Sequence, residues 1–169
     1  MLASDVLVVG MGGNIGTESQ IRERFVRARE AFGSFGEIRS AALYRTAPIG
    51  PAQPSFLNTA IRVRAADATA DELIAIVLEI ERLLGRERRS EARWGPRMID
   101  LDILVWGMRQ LSTPELEVPH PRVVERRFAL QPLIDVVGGD LVLPGQRDSL
   151  DKLERRVAGQ SLELIVSDW

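Results

Sequence analysis

Three features of the 169-residue chain predict an α+β fold. Apolar runs of strand length are interleaved with two amphipathic helical stretches. The order of these segments is β-α-β-β-α-β rather than a strict βαβα alternation. A composition of 45% hydrophobic, 27% charged and 5% aromatic residues suits one compact domain with a real core, so residues 1–169 are expected to form a single domain.

The elements follow in chain order. Val6-Leu7-Val8-Val9 is an apolar β-branched run ending at Gly10, and Gly12-Gly13-Asn14-Ile15-Gly16 reads as the turn after it. From Glu18 to Phe32, Ile21, Phe25, Ala28 and Phe32 recur at helical spacing, with Gly33 or Gly36 to end the helix. Ile38 to Tyr44 and Leu57 to Val63 are the next strands, separated by a stiff loop containing Pro48, Gly50, Pro51 and Pro54. Thr69 and Glu72 have capping-box spacing ahead of Leu73, Ile76, Val77, Ile80 and Leu84, and Gly85 supplies the C-terminal cap. Ile99 to Trp106, closed by Gly107, completes a ferredoxin-like βαββαβ order, in which two helices cover one face of an antiparallel sheet. Leu111 to Trp169 is expected to elaborate the same domain. It holds a short helix begun by Pro121, a Gly138-Gly139-Asp140 turn, an apolar run from Leu141 to Leu143 and a charged helix from Asp148 to Val157.

Composition narrows the chemistry. The 22 basic and 24 acidic residues leave a net charge of -2, so binding of a polyanion through bulk charge is not expected, and no nucleic-acid partner is. Without cysteine, disulfides, thiolate nucleophiles and zinc-thiolate sites are excluded, and with His120 as the one histidine any metal must be held by carboxylates. The N-terminus lacks a basic leader and no stretch is long enough to cross a bilayer, so a cytoplasmic protein is expected. Lys152 is the single lysine among the 22 basic residues, which leaves 21 arginines, a bias that a GC-rich genome explains in large part.

Position gives some of those arginines more meaning. Asp100 and Asp102 stand two apart on a predicted strand, so they share a face and lie roughly 6.5 to 7 Å apart at the backbone. A solvated face is the competing reading of that pair. Just before it, from Arg82 to Arg97, six arginines face only Glu87 and Glu91, a local charge of +4 interrupted by Trp94-Gly95-Pro96. Two carboxylates suit Mg²⁺ shared with substrate phosphates, and arginines stabilise charge on a transferring phosphoryl group. The chain has no Gly-x-x-x-x-Gly-Lys-[Ser/Thr] sequence, and Ile15 breaks the dinucleotide fingerprint, so the glycine turn is foremost a strand-to-helix connection. His120, between Pro119 and Pro121, is read as a hydrogen-bond donor to a phosphate or base, with Arg126 and Phe128 offering a charge and a stacking face on the next short element.

The stretch Arg93-Trp94-Gly95-Pro96-Arg97-Met98-Ile99-Asp100-Leu101-Asp102-Ile103-Leu104 resembles the signature of the 6-hydroxymethyl-7,8-dihydropterin pyrophosphokinases. Gly12 to Gly16, Tyr44-Arg45-Thr46-Ala47-Pro48-Ile49-Gly50, Phe56-Leu57-Asn58, Ile80-Glu81 with Gly85-Arg86, Val118-Pro119-His120, and Arg126 with Phe128 continue the likeness in order, from about Val6 to Ile134. The resemblance implies an αβα sandwich and transfer of the β,γ-diphosphoryl group of ATP to the hydroxymethyl group of the dihydropterin, releasing AMP, in folate biosynthesis. It implies two Mg²⁺ ions on Asp100 and Asp102, with Arg86 and Arg97 assisting transfer. Glu81, Arg86, Trp94, Arg97, Ile103, His120 and Arg126 would meet ATP, Trp94 closing over the site. Gly12, Thr46, Ala47, Ile49, Phe56, Asn58 and Phe128 would form the pterin slot. A monomer without membrane or nucleic-acid partners is expected.

Departures from the family pattern are Gly13 for the usual Ser, Ala47 for Pro, Phe56 for Tyr and Leu78 where some members carry Gln. A loop one residue longer leaves Arg88 and Arg89 both open as the second loop arginine. The competing classes are a noncatalytic ferredoxin-like module binding a small ligand or RNA, and a nicotinamide-dependent oxidoreductase, the latter disfavoured by the β-α-β-β order.

Overall fold

In a computed structural model of the chain, residues 1–48, 50–87 and 95–169 are described. Strand β1 (Val6–Gly13) leads into helix α1 (Glu18–Ala31), followed by short strands β2 (Arg39–Ser40) and β3 (Leu43–Thr46) and the long strand β4 (Phe56–Arg64). Helix α2 (Ala70–Leu83) and strand β5 (Asp100–Trp106) complete the expected order. A small β6 (Leu111–Ser112) and β7 (Glu117–Val118) ladder, helices α3 (Arg127–Val137) and α4 (Leu150–Val157) and strand β8 (Glu163–Val166) follow.

The main sheet runs β5-β1-β4-β3-β8, all neighbours antiparallel, with β2 also on β4. The first four positions are the ferredoxin-like order. The single strand expected over Ile38 to Tyr44 is divided in two, and the amide of Ala41 still bonds the Ala60 carbonyl at 2.8 Å across the break. Both long helices begin with capping boxes, Thr69 with Glu72 as predicted and Thr17 with Gln20 at the start of α1. Gly85 ends α2 at φ +91°, a conformation that a β-carbon disfavours.

Alternation along the strands divides the interior into two layers. Leu7, Val9, Met11, Leu57, Ile61, Leu101 and Ile103 pack beneath α1 and α2, while Val6, Val8, Ala60 and Leu104 pack beneath α3 and α4. Helices α3 and α4 therefore cover the second face of the sheet and β8 lengthens it, while Leu116, Val118 and Trp169 join the first layer. Pro121 does not open a helix: a single 3₁₀ turn, Val123–Glu125, follows it, and the main helix starts at Arg127. That helix continues through Pro132, which sits mid-helix and hides it from a reading that stops helices at proline. Leu141 to Leu143 forms no strand, and the charged helix starts at Leu150 rather than Asp148. Among the described residues no helix is long and apolar enough to cross a membrane.

Candidate active site

The face beneath α3 changes character along its strands. At one end it is apolar, through Val6, Val8, Ala60 and Leu104. At the other end the same rows of side chains become Gly10 and Gly12 on β1, Asp102 and Asp100 on β5, Asn58 and Phe56 on β4 and Thr46 on β3. Here the interior opens into a cavity of about 290 Å³.

Pairing fixes what stands beside what. Gly12 lies between Asp100 on one neighbouring strand and Asn58 on the other, and Gly10 is opposite Asp102. A β-carbon on Gly12 would come within 3.0 Å of the Asn58 side-chain oxygen, so the glycine floor keeps open the space between the carboxylates and the amide. Asn58 donates to the Thr46 hydroxyl at 2.7 Å in a buried contact. Phe56, Phe128 and Ala47 add the remaining walls.

Arg86 ties together three elements. Its Nη1 donates to Glu81 Oε1 on α2 and to Asp100 Oδ1 on β5, both at 2.5 Å, and Glu81 Oε1 also accepts from the Leu101 amide at 2.8 Å. Glu81 and Arg86 are almost wholly buried, at 1% and 6% side-chain exposure, so their charges must be paired. Arg97 reaches Asp100 Oδ2 at 2.5 Å from the cavity side. Asp102 lies deeper, and its carboxyl is pushed up to about 7, first by burial and then by the negative charges of Asp100 and Glu81.

Two oxygen donors on one strand face, with Asp102 buried beside the negative charges of Asp100 and Glu81, are the donor set that a hard cation accepts. Two carboxylates suffice for Mg²⁺ when substrate phosphates and water complete its shell. Asp100 and Asp102 therefore fit a magnesium site, although among the described residues no group of three acidic or imidazole side chains converges.

His120 lines the cavity, held to β5 by its amide, which donates to the Leu104 carbonyl at 2.8 Å. Its Nδ1 accepts from the Arg122 amide at 3.2 Å, which leaves Nε2 to carry the proton as a donor. Burial, then the positive charge of Arg126, lowers its pKa and favours the neutral ring. Arg126 itself lines the cavity, its guanidinium 5.7 Å from the Phe128 ring centroid.

The cavity thus brings together Gly12, Thr46, Ala47, Phe56, Asn58, Arg97, Asp100, Asp102, His120, Arg126 and Phe128. Glu81 and Arg86 stand behind Asp100 rather than on the cavity wall. Ile103 departs from its expected place, because its side chain alternates to the opposite face and packs in the core under α1 and α2. Ile49 and Trp94, and the choice between Arg88 and Arg89, lie outside the described residues.

Asn14 was not singled out by sequence reasoning. Its side chain donates to Gln53 Oε1 and the Pro54 carbonyl, each at 3.0 Å, and accepts from the Arg97 amide at 2.8 Å. One buried amide therefore holds the loop before β4 and the loop before β5 to the end of β1. The signal available in the sequence was a polar residue inside a glycine turn that a simple strand-to-helix connection does not need. Gly13 belongs to the same junction, since a β-carbon there would meet the Met98 carbonyl at 2.8 Å.

The profile of the 7,8-dihydro-6-hydroxymethylpterin-pyrophosphokinase (HPPK) family matches residues 8–138. The chain belongs to this family. Its members are diphosphotransferases, and so is this enzyme by class. A 2-amino-4-hydroxy-6-hydroxymethyldihydropteridine pyrophosphokinase of Pseudomonas aeruginosa is 40% identical over 144 residues, covering 82% of this chain and 84% of its own length. A folate synthesis bifunctional protein of Arabidopsis thaliana is 36% identical over 133 residues, 78% of this chain, which spans only 27% of that protein. Among solved structures, the HPPK-DHPS chain of Plasmodium falciparum crystallised with pteroate superposes with a TM-score of 0.68 at 14% identity, over 94% of this chain and 43% of that one. The last likeness concerns the fold, and it agrees with the strand order.

Proposed function

We propose that this HPPK-family chain, as a single domain, transfers the β,γ-diphosphoryl group of ATP to the hydroxymethyl group of 6-hydroxymethyl-7,8-dihydropterin and releases AMP. The observation that carries the reading is the division of one cavity into two chemistries. Asp100, Asp102, Arg97 and Arg126 bring carboxylates and cations to its lining, and Phe56, Phe128, Asn58 and Thr46 bring ring faces and hydrogen-bonding edges.

A pterin is flat, with donors and acceptors around its edge, so the two phenyl rings supply stacking faces and the Asn58 amide reads the edge. Thr46 accepts from Asn58, which fixes that amide with its oxygen toward Gly12. Asp100 and Asp102 would hold two Mg²⁺ ions with the ATP phosphates; when bound, the metal neutralises phosphate charge and favours loss of the hydroxyl proton. Arg97 faces the cavity and is placed to stabilise charge on the transferring oxygens, while Arg86 keeps Asp100 in position. His120 offers its Nε2 proton to ATP. In the reaction the pterin hydroxyl oxygen bonds to the β-phosphorus, the bond from that phosphorus to the α,β-bridging oxygen breaks, AMP departs with that oxygen, and the hydroxyl proton passes to solvent. No covalent enzyme intermediate is needed.

A noncatalytic sheet-surface reader of RNA would need an open face with aromatics for stacking. Both faces here carry helices, which disfavours that alternative.

Incubation with MgATP and the hydroxymethyl dihydropterin, followed by identification of the nucleotide product, tests the reading. AMP in equal amount to diphosphorylated pterin is expected. ADP would make the chain an ordinary kinase, and no product would remove the assignment. Asp100→Asn and Asp102→Asn should each abolish transfer without loss of fold. Normal turnover in both would sink the metal assignment.

A further inference from the structure

Phe128 and Asp135 are seven residues apart on α3, so with Gln131 between them they share one face of that helix. Phe128 lines the cavity, and Asp135 lies two turns away, where α3 crosses β3. Its carboxylate is fully engaged. Oδ2 accepts from the Tyr44 hydroxyl at 2.8 Å and the Ala42 backbone amide at 3.2 Å, and Oδ1 accepts from the Gln131 side-chain Nε2 at 3.0 Å. None of these groups has a part in the chemistry described above.

Tyr44 belongs to the row of side chains that builds the slot. It pairs with Asn58 across β3 and β4, and Thr46, two residues on, points to the same face. The Tyr44 to Asp135 bond therefore joins the strand carrying Thr46 to the helix carrying Phe128. Apolar contact through Leu130, Leu133 and Val136 presses α3 onto the sheet, but such contact is non-directional and permits sliding. Directional bonds fix the position. On the sheet side of α3 they occur at its C-terminal half, through Asp135 and through the Val136 carbonyl, which accepts from Arg62 at 3.1 Å. Arg127, at the other end, is committed to Glu154 at 2.7 Å and the Ala158 carbonyl at 2.9 Å, away from the sheet. Burial and then Asp135 also hold the Tyr44 hydroxyl well above the usual phenol range, so it remains a donor.

We propose that Asp135 is a positioning residue for substrate: through Tyr44 and Ala42 it sets the separation between Phe128 on α3 and the wall made by Thr46 and Asn58, and so the width of the slot that grips the pterin. The inference rests on the pterin reading of that slot. It separates two functions within one cavity, because Asp100 and Arg97 are anchored independently of α3, Asp100 through Arg86 and Glu81 and Arg97 through Asn14.

Pterin binding followed by its fluorescence, with 6-hydroxymethylpterin as the probe, and binding of a non-hydrolysable ATP analogue decide the matter in Tyr44→Phe, Asp135→Ala and Asp135→Asn. Tyr44→Phe and Asp135→Ala should raise the pterin Kd about five- to ten-fold, the size of one typical hydrogen bond. The analogue Kd, and kcat at saturating pterin, should stay within about two-fold of the parent protein. Asp135→Asn should restore the pterin Kd, since its amide oxygen still accepts from Tyr44 and Ala42. An unchanged pterin Kd in folded Tyr44→Phe and Asp135→Ala overturns the proposal, as does an equal loss for both ligands, which would mark a general loosening. If Asp135→Ala does not fold, Tyr44→Phe, which loses one oxygen, decides alone. Absence of pterin binding by the parent protein overturns the slot reading together with this one, whereas parental binding with unchanged variants overturns this one alone.

Discussion

Arg86 and Arg97 both reach Asp100, yet they stand in different surroundings. Arg86 has 6% side-chain exposure and also neutralises Glu81 at 1%, whereas Arg97 retains 25%. Removing one partner of a buried pair leaves the other charge stranded, a loss of about 3 to 5 kcal/mol, while a pair open to solvent contributes about 0 to 1 kcal/mol. Arg86→Ala should therefore shift the urea midpoint strongly downward and lose activity as well. Arg97→Ala should keep the unfolding free energy to within about 1 kcal/mol of the parent protein and lose turnover much more than pterin affinity. Equal destabilisation by the two variants would contradict this separation. In the sequence Glu81 and Arg86 are both singled out only by the resemblance at Ile80-Glu81 and Gly85-Arg86. Glu81 follows Ile80 on the apolar stripe of Leu73, Val77 and Ile80, where an unpaired carboxylate is costly. The stripe did not reveal which base answered it, because Arg86 meets Glu81 only after Gly85 turns the chain back.

Elements whose ends carry their own chemistry were legible before any tertiary contact was known. In α2 the Thr69 side chain accepts from the Glu72 amide while the Glu72 carboxylate accepts from the Thr69 amide at 2.8 Å, the reciprocal pair that the spacing predicts. Loss of such a cap costs about 1 kcal/mol, so Thr69→Ala should lower stability by that amount in chemical denaturation and leave the pterin and ATP-analogue affinities unaltered. A change in either affinity would mean that the start of α2 is coupled to the site. Helix α3 was not legible to the same degree. Its N-cap, Arg126, makes no side-chain capping bond, Pro132 interrupts its pattern, and the bonds that hold it, from Tyr44, Arg62 and Arg127, come from elsewhere in the chain. Strands divided similarly. Alternation placed β4 and β5, while β8, with its middle residues half-exposed or exposed, is defined only by pairing with β3.

Across the whole molecule the sheet separates two tasks, and this explains why a motif-bearing sequence still concealed part of its architecture. Local spacing located the carboxylate pair and the glycine turn, because residues two apart on a strand share a face. Closure of the second face depends on contacts between residues far apart in the chain, such as that between Asp135 and Tyr44. Trp169 caps the layer opposite the cavity: its ring meets Phe25 edge-on at 6.0 Å between centroids, Arg29 lies 4.9 Å over it, and its indole N–H donates to the Ala41 carbonyl at 2.8 Å. A fully buried Trp→Ala change costs about 3 to 5 kcal/mol, and a half-buried one correspondingly about 2 to 3 kcal/mol. For a domain of this size that lowers Tm by roughly 5 to 10 °C. Because the cavity lies across the sheet, Trp169→Ala should keep kcat and both substrate affinities within about two-fold when assayed well below its own Tm. Calorimetry and a steady-state assay at 25 °C give the two readings. A fall in kcat matching the fall in stability, in protein still folded at the assay temperature, would mean that the sheet transmits strain from the α1 layer to Asp100 and Asp102 and that the two layers are not independent.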